Sequence, residues 1–228
     1  MNILAIETSS TWGSVAVSRD SQIVYNSYLD IKITHSERLM PQIDDACKQT
    51  NLKISDFDLI AISNGPGSFT GIRIGLAVAK GLCLGAKIPL FPVNTLRVLA
   101  YNLYGSKLPV MPFIDARMGE VYAALYSADM EELIAPCNAK PVEFLQNIDQ
   151  EVIITGSGIT RFHDELINSG IKYQTALMHQ QVPQAQTLLS IALSEVSSPK
   201  YDIEAISALE PWYLRKSQAE IVKENKLK

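Results

Sequence analysis

Two acids stand at the ends of apolar runs, a placement that suits a nucleotide cleft. Glu7 closes ILAIE at 3–7 and Asp115 closes VMPFID at 110–115. The hydroxyls of Thr8, Ser9 and Ser10 follow the first acid, and glycine turns recur at Gly65–Pro66–Gly67 and Gly156–Ser157–Gly158. Turn amides and helix N-termini bind phosphate. On that reading Asp115 holds Mg²⁺ or acts as a base, Gly156 and Gly158 flank an adenine, and the chain is an ATP-dependent phosphotransferase of the sugar-kinase or actin-like class. Two features oppose it. Glu7 replaces the aspartate usual in such clefts, and the first turn has no glycine before Gly13.

Other chemistry has less support. His35, His163 and His179 are scattered without paired spacing, so no metal site is expected. Ser68 sits in G-P-G-S-F-T, which is not the G-x-S-x-G elbow of a hydrolase, and reads as a helix cap. No catalytic constellation assembles from the letters.

The elements that must carry these residues come in two similar sets. Each acid-ending run is followed by two more strand-like runs, SVAVS and SQIVYNSYL in the first half, VYAALYS and MEELIAPC in the second. Each half then shows an apolar strand entering a glycine turn and a helix, at 59–68 and 152–160. Aligning Ile6–Glu7 with Ile114–Asp115 gives an offset of 108 residues, which also sets Val15 and Val17 opposite Ala123 and Leu125. The expectation is an α/β fold of two facing lobes, 1–104 and 105–204, with 205–228 packing back on the first. Pro211–Trp212–Tyr213 is too apolar for a free tail, and the polar sequence beyond Ser217 is expected to fray.

The most informative segment is NGPGSFTGIRIGLAVAKGLCLG, residues 64–85. Between Ile72 and Leu84 only Arg73 and Lys80 carry charge, so the helix needs cover on nearly every side. Gly71, Gly75 and Gly81 each cost about 1 kcal/mol relative to Ala inside a helix, and close packing is the usual compensation. Gly71, Gly75, Ala79 and Cys83 recur every four residues as a smooth stripe beside Ile72 and Leu76. A second helix, 34–50, opens with Thr34 and Glu37 as a capping box and carries Leu39, Met40, Ile43, Ala46 and Cys47 on one side. An association surface is therefore expected from Leu39, Met40, Ile43 and Cys47 with Ile72, Gly75, Leu76, Ala79, Lys80 and Cys83. Ala79→Glu is expected to break pairing and spare the fold.

Composition narrows the classes. The 228 residues are 47 % hydrophobic and 19 % charged, with a net charge of −4, which describes a globular chain. No clustered basic footprint marks a nucleic-acid binder acting by itself. Cys47, Cys83 and Cys137 are far apart and outside any C-x-x-C pair, so no disulfide framework is expected. The N-terminus has no basic n-region and no run of 18 apolar residues occurs, so the expectation is a cytoplasmic protein without a membrane span.

Four blocks together point to a family. NGPGSFTGIRIGLAVAKGL at 64–82, ILAIETS at 3–9, THSERLMPQID at 34–44 and PWYLR at 211–215 closely resemble the TsaB (YeaZ) family, densely over 1–117 and thinly over 118–200. The resemblance implies an actin-like ATPase (ASKHA) fold of two ribonuclease-H-like lobes. It further implies a non-catalytic dimerisation subunit of the bacterial tRNA threonylcarbamoyladenosine (t6A) machinery. Its partner would be the paralogue TsaD, which transfers threonylcarbamoyl to N6 of adenosine 37, through helices at 35–49 and 70–84. The P-loop ATPase TsaE would join that pair, TsaC would supply threonylcarbamoyl-adenylate, and a second copy would take TsaD's place when the chain is alone. tRNA would be met only through the complex. No cofactor is implied on the isolated chain, with ATP or ADP at most weakly held or held at a joint interface. TsaD-type sequences carry a metal-holding H-x-x-x-H, and the matching stretch VNTLRVLA at 93–100 has Thr95 and Leu99 instead. The family's older glycoprotease label finds no support in the residues.

Overall fold

The computed structural model describes residues 1–30 and 34–215. Two five-stranded sheets repeat one topology. The first has β1 (Ile3–Glu7), β2 (Gly13–Arg19), β3 (Gln22–Leu29), β4 (Leu59–Ser63) and β5 (Leu90–Val93) in the order β3-β2-β1-β4-β5. The second has β6 (Val110–Arg117), β7 (Glu120–Tyr126), β8 (Glu132–Ala139), β9 (Val152–Thr155) and β10 (Tyr173–Thr175) in the order β8-β7-β6-β9-β10. In both, the first three strands meander antiparallel and the last two join in parallel. Parallel joins need crossovers, which the intervening helices supply. This doubled order is the actin-like ATPase fold of two ribonuclease-H-like lobes.

The central strands of each sheet, β1, β2 and β4 in the first and β6, β7 and β9 in the second, are largely buried and covered on both faces. On the first, α1 (His35–Thr50) and α2 (Phe69–Ala86) bury Leu4, Ile6, Val15 and Val17, while α7 (Ala185–Glu195) buries Ile3, Ala5 and Ala16. On the second, α4 (Pro141–Leu145), α5 (Gly158–Arg161) and α6 (His163–Asn168) flank the face of Met111 and Phe113, and α3 (Thr95–Tyr101) covers Val110, Ala124 and Tyr126. The expected boundary at 104/105 therefore needs correction in packing terms. α3, from the first range, lies on the second sheet through Leu96 and Ala100 while Val98 faces α7, and α7, from the second range, lies on the first sheet.

The internal repeat is also shifted. Val15 pairs with Ile6, whereas Ala123 pairs with Phe113 and Ile114 pairs with Tyr122. Leu4, Ile6, Val15 and Val17 share the face under α1 and α2, and Met111, Phe113, Ala123 and Leu125 share the matching face of the second sheet. The offset of 108 therefore holds between β2 and β7, but β1 maps onto β6 with 107, Ile6 to Phe113 and Glu7 to Ile114. A one-residue slip moves every side chain to the other face. Glu7 and Asp115 are thus not equivalent acids.

At the C-terminal end, α8 (Ile203–Ala208) sets Ile206 into the core beneath α2, and residues 212–213 contact the first lobe. Leu214 and Arg215 go on to the second lobe. The remainder of the expected segment, 216–228, lies outside the described residues.

Candidate partner face and interlobe cleft

The C-terminal ends of β1 and β4 open toward a cavity of about 1040 Å³ between the lobes. Ser9, Ser10, Asp115 and Ser157 line it, as do Thr95 and Leu99 of α3, whereas Glu7 and Thr8 do not. Glu7 is fully buried, and its Oε1 accepts from the amide and hydroxyl of Ser9 at 2.6 and 2.5 Å. Burial outweighs those bonds and raises the Glu7 pKa above the usual carboxylate value. Thr8 Oγ1 donates to the Gly71 carbonyl at 2.9 Å, and Ser9 O accepts from Ser68 N at 2.6 Å. The polar groups after β1 therefore fasten the start of α2.

The second set of expected nucleotide residues behaves in the same way. A Cβ on Gly156 or Gly158 would lie 2.5 or 2.7 Å from the Phe113 carbonyl, so both glycines serve the close approach of that turn to β6. Asp115 accepts from its neighbour Arg117 N at 2.7 Å and sits 3.4 Å from the Arg117 guanidinium, while its amide donates to Ser157 Oγ at 3.2 Å. The six residues expected as a vestigial nucleotide site, Glu7, Thr8, Ser9, Asp115, Gly156 and Gly158, are thus not gathered around one opening. Only Ser9 and Asp115 of the six reach the cavity lining.

α2 is held by the feature that the sequence singled out, on the opposite side from the one assigned. Ser68 caps it, accepting from Gly71 N at 3.2 Å. Cβ atoms on Gly71 and Gly75 would fall 2.1 Å from Thr8 O and Thr8 Oγ1, so the smooth stripe lets α2 descend onto the end of β1. Gly75, Ala79 and Cys83 are buried with Ile72 and Leu76, and Leu39 and Ile43 of α1 are buried against the same sheet. These seven expected interface residues belong to the chain's own core, and Ala79→Glu would strike the fold itself. Met40 is exposed, Cys47 half-buried, and Lys80 half-buried with its Nζ donating to Ser207 O and Leu209 O at 2.8 and 3.0 Å.

The outer side of α2 carries a second small-residue stripe that the sequence reading missed. Ala77, Gly81, Leu84 and Gly85 are exposed, while Ile74 and Val78, like Cys47 of α1, are half-buried at the edge of the first-lobe core. A Cβ on Gly81 or Gly85 would meet nothing within 4 Å. The spacing 77, 81, 85 was visible in the letters; what selects the inward stripe is the fit of Gly71 and Gly75 over Thr8. α2, largely apolar over its 18 residues, packs one side into the core of the first lobe. The Glu37 carboxylate accepts from Thr34 N at 3.1 Å at the start of α1, as the capping pattern anticipates.

Comparison with known proteins gives a consistent result. A protein-family model for TsaD, tRNA N6-adenosine threonylcarbamoyltransferase, matches residues 30–223. The chain is 33 % identical over 229 residues to the tRNA threonylcarbamoyladenosine biosynthesis protein TsaB of Escherichia coli K12, covering 96 % of each chain. It is 30 % identical to TsaB of Bacillus subtilis 168, again with 96 % of each covered. Among solved structures, YeaZ from Pseudomonas aeruginosa superposes with a TM-score of 0.76 at 26 % identity, over 93 % of this chain and 99 % of that one.

Proposed function

The chain belongs to the TsaB family, and on that premise we propose that it is a non-catalytic subunit of t6A synthesis that pairs with a TsaD paralogue through the outer side of α1 and α2. The single observation carrying this reading is the outer α2 stripe: Ala77, Gly81, Leu84 and Gly85 are exposed on a helix whose other side is already seated. Small residues allow a partner helix close approach, and burial of such a face contributes roughly 25 cal/mol per Å² before association costs. Met40 and Cys47 of α1 extend the face.

A non-catalytic role is supported by the engagement of Glu7, Thr8 and Ser9 with one another and with α2. It is also supported by Thr95 and Leu99 standing without an imidazole at the cavity. With Thr8 and Ser9 engaged in this way, the chain alone holds ATP or ADP at most weakly, and a firmly bound nucleotide is held at a joint interface. In this reading TsaE joins through the pair, a second copy occupies the face when TsaD is absent, and the net charge of −4 leaves tRNA to the complex. The work takes place in the cytoplasm.

Co-purification with the paralogue, followed by t6A assay of each component alone and together, tests the reading. The expected result is activity only for the mixture, with no calorimetric heat from Mg-ATP on the isolated chain. Transfer activity by the isolated chain, or failure to pair, overturns it.

A further inference from the structure

The segment Pro211–Arg215 crosses from one lobe to the other along the wall of the cleft. On the first lobe, Trp212 N donates to Asn64 O at 2.8 Å, and its carbonyl lies 2.8 Å from where a Gly65 Cβ would stand. Tyr213 stacks on Phe69 with ring centroids 5.2 Å apart, and its hydroxyl accepts from Arg73 Nε at 2.7 Å. The Arg73 guanidinium in turn lies 3.7 Å over the Phe69 ring. On the second lobe, Leu214 packs with the cluster of Leu96, Val110 and Tyr126. Arg215 Nη1 donates to Ala116 O at 3.3 Å and to Glu120 Oε2 at 3.4 Å.

We propose that residues 211–215 form a strap that holds the two lobes at a fixed opening and that releases by parting from either lobe while each sheet stays folded. The placement supports this. Its contacts with the first lobe fall on the glycine turn and the first turns of α2, and those with the second fall on the β6–β7 hairpin and the α3 cluster. Residues 212–215 all line the cavity. The contacts on either side are partly exposed: Tyr213 keeps 39 % of its surface open, so they can break locally without opening a core. The inference stands apart from the pairing proposal, because it concerns the isolated chain.

The chain's two tryptophans, Trp12 and Trp212, both line the cavity and supply the probe. In full-length Trp212→Phe, acrylamide quenching of Trp12 emission reports access to the cleft. Adding Tyr213→Ala and Arg215→Ala is expected to raise that quenching and to speed amide exchange at residues 9–12 and 115–119 about tenfold, with β1 and β4 still protected. Unchanged quenching and exchange would overturn the strap. So would exchange rising equally in β1 and β4, since the segment would then be a piece of the core. Should the triple variant fail to fold, Tyr213→Phe decides alone. It keeps the stacked ring, loses the Arg73 bond, and must raise cleft exchange without raising core exchange.

Discussion

Ala77 and Ala79 are two residues and some 200° apart around α2, and a glutamate at each should have opposite consequences. Ala79 is 0 % exposed among Ile43, Leu76 and Cys83. A carboxylate there is unpaired and desolvated at a cost of several kcal/mol, against a total stability on the order of 5–15 kcal/mol. Ala79→Glu should therefore be largely insoluble, or melt at least roughly 10 °C early at about 2–4 °C per kcal/mol for this size. Ala77 is exposed, and Ala→Glu on an exposed helix surface changes stability by about 0.5 kcal/mol or less. Its melting temperature should stay within roughly 2 °C of wild type. Arg73, four residues earlier, is held between Phe69 and Tyr213 and is not free to neutralise the new charge. If the outer stripe seats the paralogue, an unpaired buried carboxylate at 77 costs on the order of 3 kcal/mol, or about two decades in Kd. Sedimentation velocity with purified paralogue and thermal melts of both variants provide the test. Ala77→Glu pairing as tightly as wild type would refute the interface, and Ala79→Glu melting like wild type would refute the orientation of α2.

The two kinds of glycine on α2 predict opposite signs. Gly75→Ala puts a Cβ 2.1 Å from Thr8 Oγ1 and should destabilise by about 1–3 kcal/mol. Gly81→Ala meets nothing and should stabilise by up to about 1 kcal/mol, both read in denaturant melts. Glu7 gives a pH dependence. Its pKa is raised in the folded protein, so above about pH 4.5 the unfolded chain loses the proton first and stability falls until the folded group ionises too. Glu7→Gln keeps an acceptor for Ser9 and cannot ionise, so its melting temperature should exceed that of wild type by a margin that grows from pH 4 upward; a constant difference would count against the buried acid. Thr8→Val removes the bond to Gly71 O and should cost roughly 1 kcal/mol while leaving pairing intact, checked by melt and sedimentation.

The strand–glycine-turn–helix order was legible in short apolar runs and turn residues, and both sheets follow it. Register was harder. ILAI and VMPFI are apolar at every position, because β1 and β6 are covered on both faces, so alternation could not say which side a residue takes. Matching the acids by letter then chose a register one residue off. Lobe membership of α3 and α7 was illegible for a related reason: an apolar helix stripe does not record which sheet it meets. On α2 the letters held two small-residue stripes, 71/75/79/83 and 77/81/85, and spacing favoured neither. The choice is made by Thr8 and Ser9, sixty residues away in sequence, whose bonds to Gly71 and Ser68 set the rotation of the helix.

That arrangement has a consequence for what the cleft can do. A hydroxyl or amide already engaged within the chain is not at the same time free to cradle a phosphate, and here the Thr8 hydroxyl and the Ser68 amide fasten α2 while the Ser9 amide and hydroxyl are held by Glu7. The same bonds keep α2 from rolling on the sheet, and a helix that rolls cannot present a fixed stripe to another molecule. The hold on α2 and the engagement of these polar groups are one set of bonds seen from two sides. Loosening α2, as Gly75→Ala would do by crowding Thr8 Oγ1, should therefore weaken that presentation before it frees the Thr8 hydroxyl for a ligand.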